Sequence, residues 1–417
     1  MKLSDSKYLL FQLLWFLILM PKPVQFILLV MYLFVVIVSH KVKFKLDFIS
    51  MTLFGYSLVH VISIIVRTVI QQNVTRVGAA INTSLVMVLA TIVYIIVTNV
   101  HFDERKISKY MFINMNIMVC LAFLFALRKY AGFPLPSSFL GRVFYRDDWL
   151  DGVHTFRLTA LLEFDNLIPM FYLVCGVWAL TYVRNKFKFP FLVFYVLMMF
   201  LPVYLSNSRM GLVLVGLTTF ALIFTSIKSI KMKILLTSIG TALVIGVGIY
   251  EIDTIVAAIT EIFYSRSNSN NMRMMIYELS IKTALEESPL IGMGVKSMLG
   301  HYPLGSHSSY IGFFYKTGII GSFFMLLFLF YVGKQALRLI KQDKQNYLFG
   351  IFNLAILVSM ITTDIDATNW LITVFMANVG FLINKVREGQ TTGISSSSRE
   401  FLENFSNYSE GNLKRSL

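Results

Sequence analysis

Residues 289–321, PLIGMGVKSMLGHYPLGSHSSYIGFFYKTGIIG, join two kinds of chain. The first half is rich in glycine and proline, with Gly292, Gly294, Gly300 and Gly305 predicting a tight, non-helical backbone with free N–H groups. The second half turns apolar and continues through SFFMLLFLFYV to Gly333 as a helix long enough for a membrane. His307 sits at the seam, a titratable imidazole at the mouth of a span. The plain alternative is a turn entering a helix, with Ser306 or Ser308 as its N-cap.

The rest of the chain shares the character of the second half. Of 417 residues, 56% are hydrophobic and 14% charged, with mean hydropathy +0.70. A soluble chain carries about 25% charged residues. The apolar runs are continuous rather than alternating, which selects helices over barrel strands. Runs at 8–20, 24–39, 48–70, 79–100, 110–127, 167–183, 189–206, 210–227, 232–250, 308–332, 347–363 and 370–384 predict an all-α polytopic membrane protein of about twelve spans. The first two form a short hairpin around Pro21-Lys22-Pro23, and 8–39 also reads as a single span. The expected organisation is one transmembrane domain, 1–384, and a polar cytoplasmic tail, 385–417, with a serine run at 395–398 and the composition of disorder.

Basic loops alternate. Lys41/Lys43/Lys45, Arg105/Lys106/Lys109, Arg184/Lys186/Lys188, Lys228/Lys231/Lys233 and Lys334/Arg338/Lys341/Lys344 fall on one side, with both termini, and positive charge marks the cytoplasmic face. The other face carries two long segments, 128–166 and 251–307, expected to contain short helices; 252–264 and 272–286 have apolar residues at helical spacing. Those pieces lie along the interface or pack against the bundle. The outer segments hold Arg142, Arg146, Arg157, Arg266, Arg273 and Lys296. Their partners are nearby acids, among them Asp147, Glu163 and Asp165, or an anionic ligand, which the planar arginine fork suits when it is phosphate. Asp364 and Asp366 fall in a short outer link, where water can solvate them.

Within 189–227, long enough for two spans of about 19 residues, Ser206-Asn207-Ser208-Arg209 interrupts the apolar run after Pro202. The link is so short that Arg209 belongs at or just inside the outer membrane boundary; at membrane depth an arginine costs about 2.5–3.5 kcal/mol, so such a residue faces a water-filled cavity or a counter-charge, or snorkels to the interface. No phosphate-binding GxxxxGK[ST] loop, metal-spaced His/Cys/carboxylate cluster or Gly-x-Ser-x-Gly elbow occurs, and Cys120 and Cys175 lie far apart in apolar runs.

Four segments together resemble a known group. Ser206–Gly211 (SNSRMG), Asn271-Met272-Arg273 followed by SPLIGMG from Ser288, Ser306–Tyr310 (SHSSY) and Gly318-Ile319-Ile320-Gly321 resemble the O-antigen ligase/polymerase superfamily, with Arg157 ahead of Glu163-Phe164-Asp165-Asn166 fitting its outer-loop pattern. That family often has His-Asn where this chain has His307-Ser308. The resemblance implies a bacterial plasma-membrane glycosyltransferase, multi-pass, with its active site on the outer face. It would polymerise undecaprenyl-diphosphate-linked oligosaccharide repeat units into capsular or exopolysaccharide. A ligase moving the glycan to another acceptor, or a flippase or transporter of lipid-linked sugars, is the alternative. Donor and acceptor are both lipid-linked, other polysaccharide-export proteins are candidate partners, and no cofactor, metal or nucleic acid is implied. The chemistry needs arginines for the diphosphate leaving group and a histidine to take the acceptor proton. Arg209, Arg273 and His307 are the catalytic candidates. Arg157, Arg266, Lys296 and Tyr310 are the substrate-binding ones.

Overall fold

A computed structural model describes residues 3–70, 76–150, 153–227, 229–235, 238, 267–300, 302–342 and 346–390. A 3₁₀ turn (Leu3–Tyr8) and two short helices, α1 (Leu9–Gln12) and α2 (Leu14–Leu19), lead to α3 (Lys22–His40). There follow α4 (Phe48–Ile70), α5 (Val77–Asn99), α6 (Glu104–Ala131), α7 (Leu167–Lys186), α8 (Phe189–Leu205), α9 (Arg209–Ser226), α10 (Ser267–Glu287), α11 (Ser309–Gln342), α12 (Tyr347–Ser359) and α13 (Asn369–Gln390). Among the described residues, seven helices are long and apolar enough to cross a membrane: α3 to α7, α11 and α13; α8, α9 and α12 are shorter and apolar. The first expected span is a pair of broken short helices. The expected span at 232–250 falls largely, and the piece at 252–264 wholly, outside the described residues. Helix α13 continues through Gln390, past the expected start of the tail, and Lys385 within it is buried against Glu104 at 2.6 Å; residues 391–417 lie outside the described residues.

Local chemistry sets the boundaries. Asp103 caps α6 by accepting the Arg105 N–H at 2.9 Å, and Gly132, at φ 69°, closes it. Pro21 and Pro23 open α3, where a missing N–H costs nothing. Asn207, at φ 56°, makes the turn between α8 and α9, and a Cβ on Gly211 would lie 2.1 Å from the Pro169 ring. That glycine of the SNSRMG motif lets α9 close on α7.

The segment 128–166 departs from expectation. Beyond the end of α6 at Ala131, its described residues carry β-hairpins rather than short helices: β1 (Ser138–Phe139) pairs with β2 (Arg142–Val143), and β3 (Tyr145–Leu150) with β4 (Val153–Leu158), both antiparallel. Thr155-Phe156-Arg157-Leu158 alternate polar and apolar with the period of two that a strand needs, whereas YRDDWL has no such alternation and is held by its pairing with β4. Tyr145 and Phe156 meet across the ladder at 5.0 Å between ring centroids, and Phe125 of α6 stacks on Phe156 at 4.9 Å.

Helix α11 is broken at Gly318 (φ 59°, ψ −157°), and residues 289–294 fill the break. The helix would have bonded Ile319 N–H to Tyr315 C=O and Ile320 N–H to Lys316 C=O. Instead Ile319 and Ile320 donate to the carbonyls of Pro289 and Leu290, at 2.9 and 3.0 Å. The freed carbonyls of Tyr315 and Lys316 accept from Met293 and Gly294, at 2.7 and 2.9 Å. Irregular backbone inside a spanning bundle survives only when satisfied in this way. From the other side α4 holds the same loop: Ser63 Oγ donates to the Gly292 carbonyl at 2.9 Å, and His60 Nε2 lies 3.1 Å from that of Gly294. A Cβ on Gly292 would come within 2.4 Å of Gly318 N, and one on Gly294 within 2.6 Å of Ile64 N. Both glycines also have φ near +70°, so the GMG motif is the backbone contact between α4 and α11.

Two ends of the bundle differ. Lys7 bonded to the His101 carbonyl, Lys385 to Glu104 and Arg387 to Asp47 mark one end, with the basic links. The hairpins, the 289–307 loop and the α12–α13 link meet at the other.

Candidate active site

At that second end lies a cavity of about 1000 Å³. Arg157, Arg273, Lys296 and His307 line it. Arg209 opens α9, partly buried, and is not part of the lining; Tyr310 donates its hydroxyl to the Leu357 carbonyl at 2.9 Å and also stands apart. Arg266 lies outside the described residues.

Helix α10 supplies one wall through a single stripe. Arg273, Tyr277, Ser280 and Ala284 recur at helical spacing along the loop that carries His307. Tyr277 donates to the His307 carbonyl at 3.0 Å, Ser280 Oγ accepts the Gly305 N–H at 2.7 Å, and Ala284 joins Met293, Leu304 and Tyr315 in a small core. The stretch expected at 272–286 is thus a helix packed against the bundle. These bonds hold His307 in a left-handed backbone conformation, φ 66°, which few residues other than glycine adopt. Its ring forms no hydrogen bond with any described residue. Helix α11 starts at Ser309, whose hydroxyl donates to the Thr363 carbonyl and accepts the Ile365 N–H, while the Ser306 hydroxyl is buried and caps nothing.

Among the described residues, seven cations face three carboxylates in the lining. Three are paired: Arg157 with Asp165 and Lys296 with Asp364, each at 2.6 Å, and Lys316 with Asp366. Lys22, Arg76, Arg146 and Arg273 have no carboxylate partner among the described residues. Arg146 lies directly opposite Arg157 on the β3–β4 ladder, a like-charge pairing that costs energy unless an anion joins it. Nearby acids do satisfy Arg142, which meets Glu163 at 3.1 Å, and Arg157.

Burial, then the cations of Arg273 and Lys296, lower the His307 pKa to about 4. The ring is therefore neutral at pH 7, as a proton acceptor must be. Asp364 and Asp366 are not solvated, as their short link suggested. The link folds into the cavity, where their side chains are about as buried as those of Lys296 and Lys316. Burial raises the Asp364 carboxyl above the ordinary range; burial also acts on Asp366, but the Lys316 and Lys296 ammoniums reverse it and hold that group low.

Arg146, Lys316 and His60 were not singled out from sequence. Lys316 and His60 had a signal, since a charged or imidazole side chain inside an apolar span is rarely idle. Arg146 had none that separated it from other outer basic residues.

Residues 194–327 match the family model described as O-antigen ligase. The match supports the O-antigen ligase/polymerase superfamily for this chain. It spans less than half of the sequence, taking in Arg209, Arg273, Lys296 and His307 but not the hairpin arginines or the α12–α13 link. No curated protein matches the chain. With the apolar helices, the O-antigen ligase match describes a multi-pass membrane protein of a family implying ligase- or polymerase-type glycan transfer.

Proposed function

We propose that this protein polymerises undecaprenyl-diphosphate-linked oligosaccharide repeat units into capsular or exopolysaccharide on the outer face of the plasma membrane. The observation that carries the reading is the cavity, which combines an excess of cations with a neutral histidine. Arg273, with Lys296 and Arg146 of the same lining, holds the donor diphosphate. His307 takes the proton from the acceptor hydroxyl as that oxygen attacks the anomeric carbon. The glycosyl–phosphate bond breaks, and the lipid diphosphate leaves with charge that the arginines stabilise. Arg209, on the same end of the bundle, is a further candidate contact.

Polymer synthesis by purified protein from lipid-linked repeat units tests this. Arg273→Ala should lose about 10²–10³-fold in kcat, by analogy with an oxyanion-hole donor. Arg273→Lys should also be impaired, because an ammonium lacks the bidentate fork; Arg209→Ala belongs in the same assay. Full activity of Arg273→Ala at normal protein level would remove the diphosphate role.

Orientation is tested separately. In a Cys120→Ser background, a cysteine at Ser138 should react with an impermeant thiol reagent in intact cells, and one at Ser229 should not. The reverse pattern would place the cavity on the cytoplasmic side.

A further inference from the structure

His60 stands in the middle of α4 and is 1% exposed. Its Nε2 lies 3.1 Å from the Gly294 carbonyl oxygen. A carbonyl only accepts, so Nε2 carries the proton, and Nδ1 of the neutral ring is left as a bare acceptor. That Nδ1 is buried without a hydrogen-bond partner. The Ser306 hydroxyl, in a residue 7% exposed, shares the condition. Both residues belong to the cavity lining.

Buried polar atoms in proteins are nearly always satisfied, and His60 Nδ1, Ser306 Oγ and Asp364 Oδ1 are three buried acceptors without a partner in one lining, which call for a ligand that brings donors. A phosphate oxygen accepts, and cannot serve an imidazole lone pair. A sugar hydroxyl can donate to His60 Nδ1, and another can exchange a bond with Ser306 Oγ in either direction. The cations of the same cavity suit the opposite chemistry. We propose that His60 and Ser306 form a sugar-hydroxyl subsite, which holds the glycan of a lipid-linked donor or acceptor while the cations hold its diphosphate. This rests on the reading of the cavity as a site for a lipid-diphosphate-linked glycan.

Binding of two probes to the purified full-length chain tests it: undecaprenyl diphosphate bearing the oligosaccharide, and undecaprenyl diphosphate alone. His60→Met fills similar space without the acceptor, and should weaken binding of the glycan-bearing lipid about tenfold, the value of one hydrogen bond. Binding of the bare lipid should be unchanged. His60→Gln keeps an N–H for Gly294 and a carbonyl oxygen for the hydroxyl, so it should restore most of the difference. Ser63→Ala breaks the neighbouring bond to Gly292; it should lower thermal stability without changing the ratio of the two affinities. Equal weakening of both lipids by His60→Met, or none, overturns the subsite and leaves the diphosphate site standing. Wild-type protein that binds neither lipid overturns both readings.

Discussion

His307→Ala should slow chain formation about 10²–10⁴-fold per mole of folded protein, the usual share of a general base. His307→Gln should be as poor, because an amide can bond the acceptor hydroxyl but cannot take its proton at neutral pH. His301→Ala, changing the other histidine of that loop, should behave nearly as wild type. Rescue by Gln would end the general-base role and leave His307 a packing residue. The pH profile carries the sign. In the free protein the imidazole titrates near 4, held down by burial and then by Arg273 and Lys296. It is neutral and competent above that value, so the acid limb of kcat/KM should fall well below pH 6. A bound diphosphate opposes the two cations and raises the imidazole pKa, so the acid limb of kcat should lie at higher pH. Arg273→Ala removes one cation and should shift the kcat/KM limb upward. A limb unmoved by that substitution would show that another group titrates there.

Asp366→Leu should be strongly destabilising. Lys316 and Asp366 are buried side by side, with side chains 3% and 4% exposed. Removing the carboxylate leaves a buried ammonium uncompensated beside the Gly318 break, at a cost of about 3–5 kcal/mol. Thermal unfolding in detergent should show a lower Tm and less folded protein. The Lys316→Met/Asp366→Leu double variant removes both charges and should regain most of the loss, since buried pairs replaced by apolar residues are often neutral. A double variant no better than the single would mean that the pair does more than neutralise itself, and activity measured on the folded fraction would show whether that role is catalytic.

The two residues differ in how visible they were. His307 stood out because a lone imidazole at the seam of a polar loop and an apolar run is conspicuous in one dimension. Asp366 did not: a carboxylate in a short link reads as solvated until the link is seen to fold inward onto Lys316. The hairpin at Tyr145–Leu158 was missed for a related reason. Its alternation is short, and its stabilising partner, Phe125, belongs to a helix whose end the sequence does not bring near it.

Composition and the length of the apolar runs determined by themselves that this chain is a helical membrane protein, because hydrocarbon leaves the backbone few other ways to bond itself. The glycine positions in the 289–321 stretch marked non-helical backbone for a similarly local reason, since only glycine adopts positive φ freely. Which side chains share the cavity was decided by tertiary structure alone. Arg146 and Arg157 arrive from a hairpin, Arg273 from α10, His60 from α4, Lys316 from α11 and Asp364 from the α12–α13 link. These residues are far apart along the chain, and only the packing of α4, the 289–294 loop and the broken α11 brings them to one end of the bundle. Charge and burial there depend on that convergence, and so does the lowered pKa of His307.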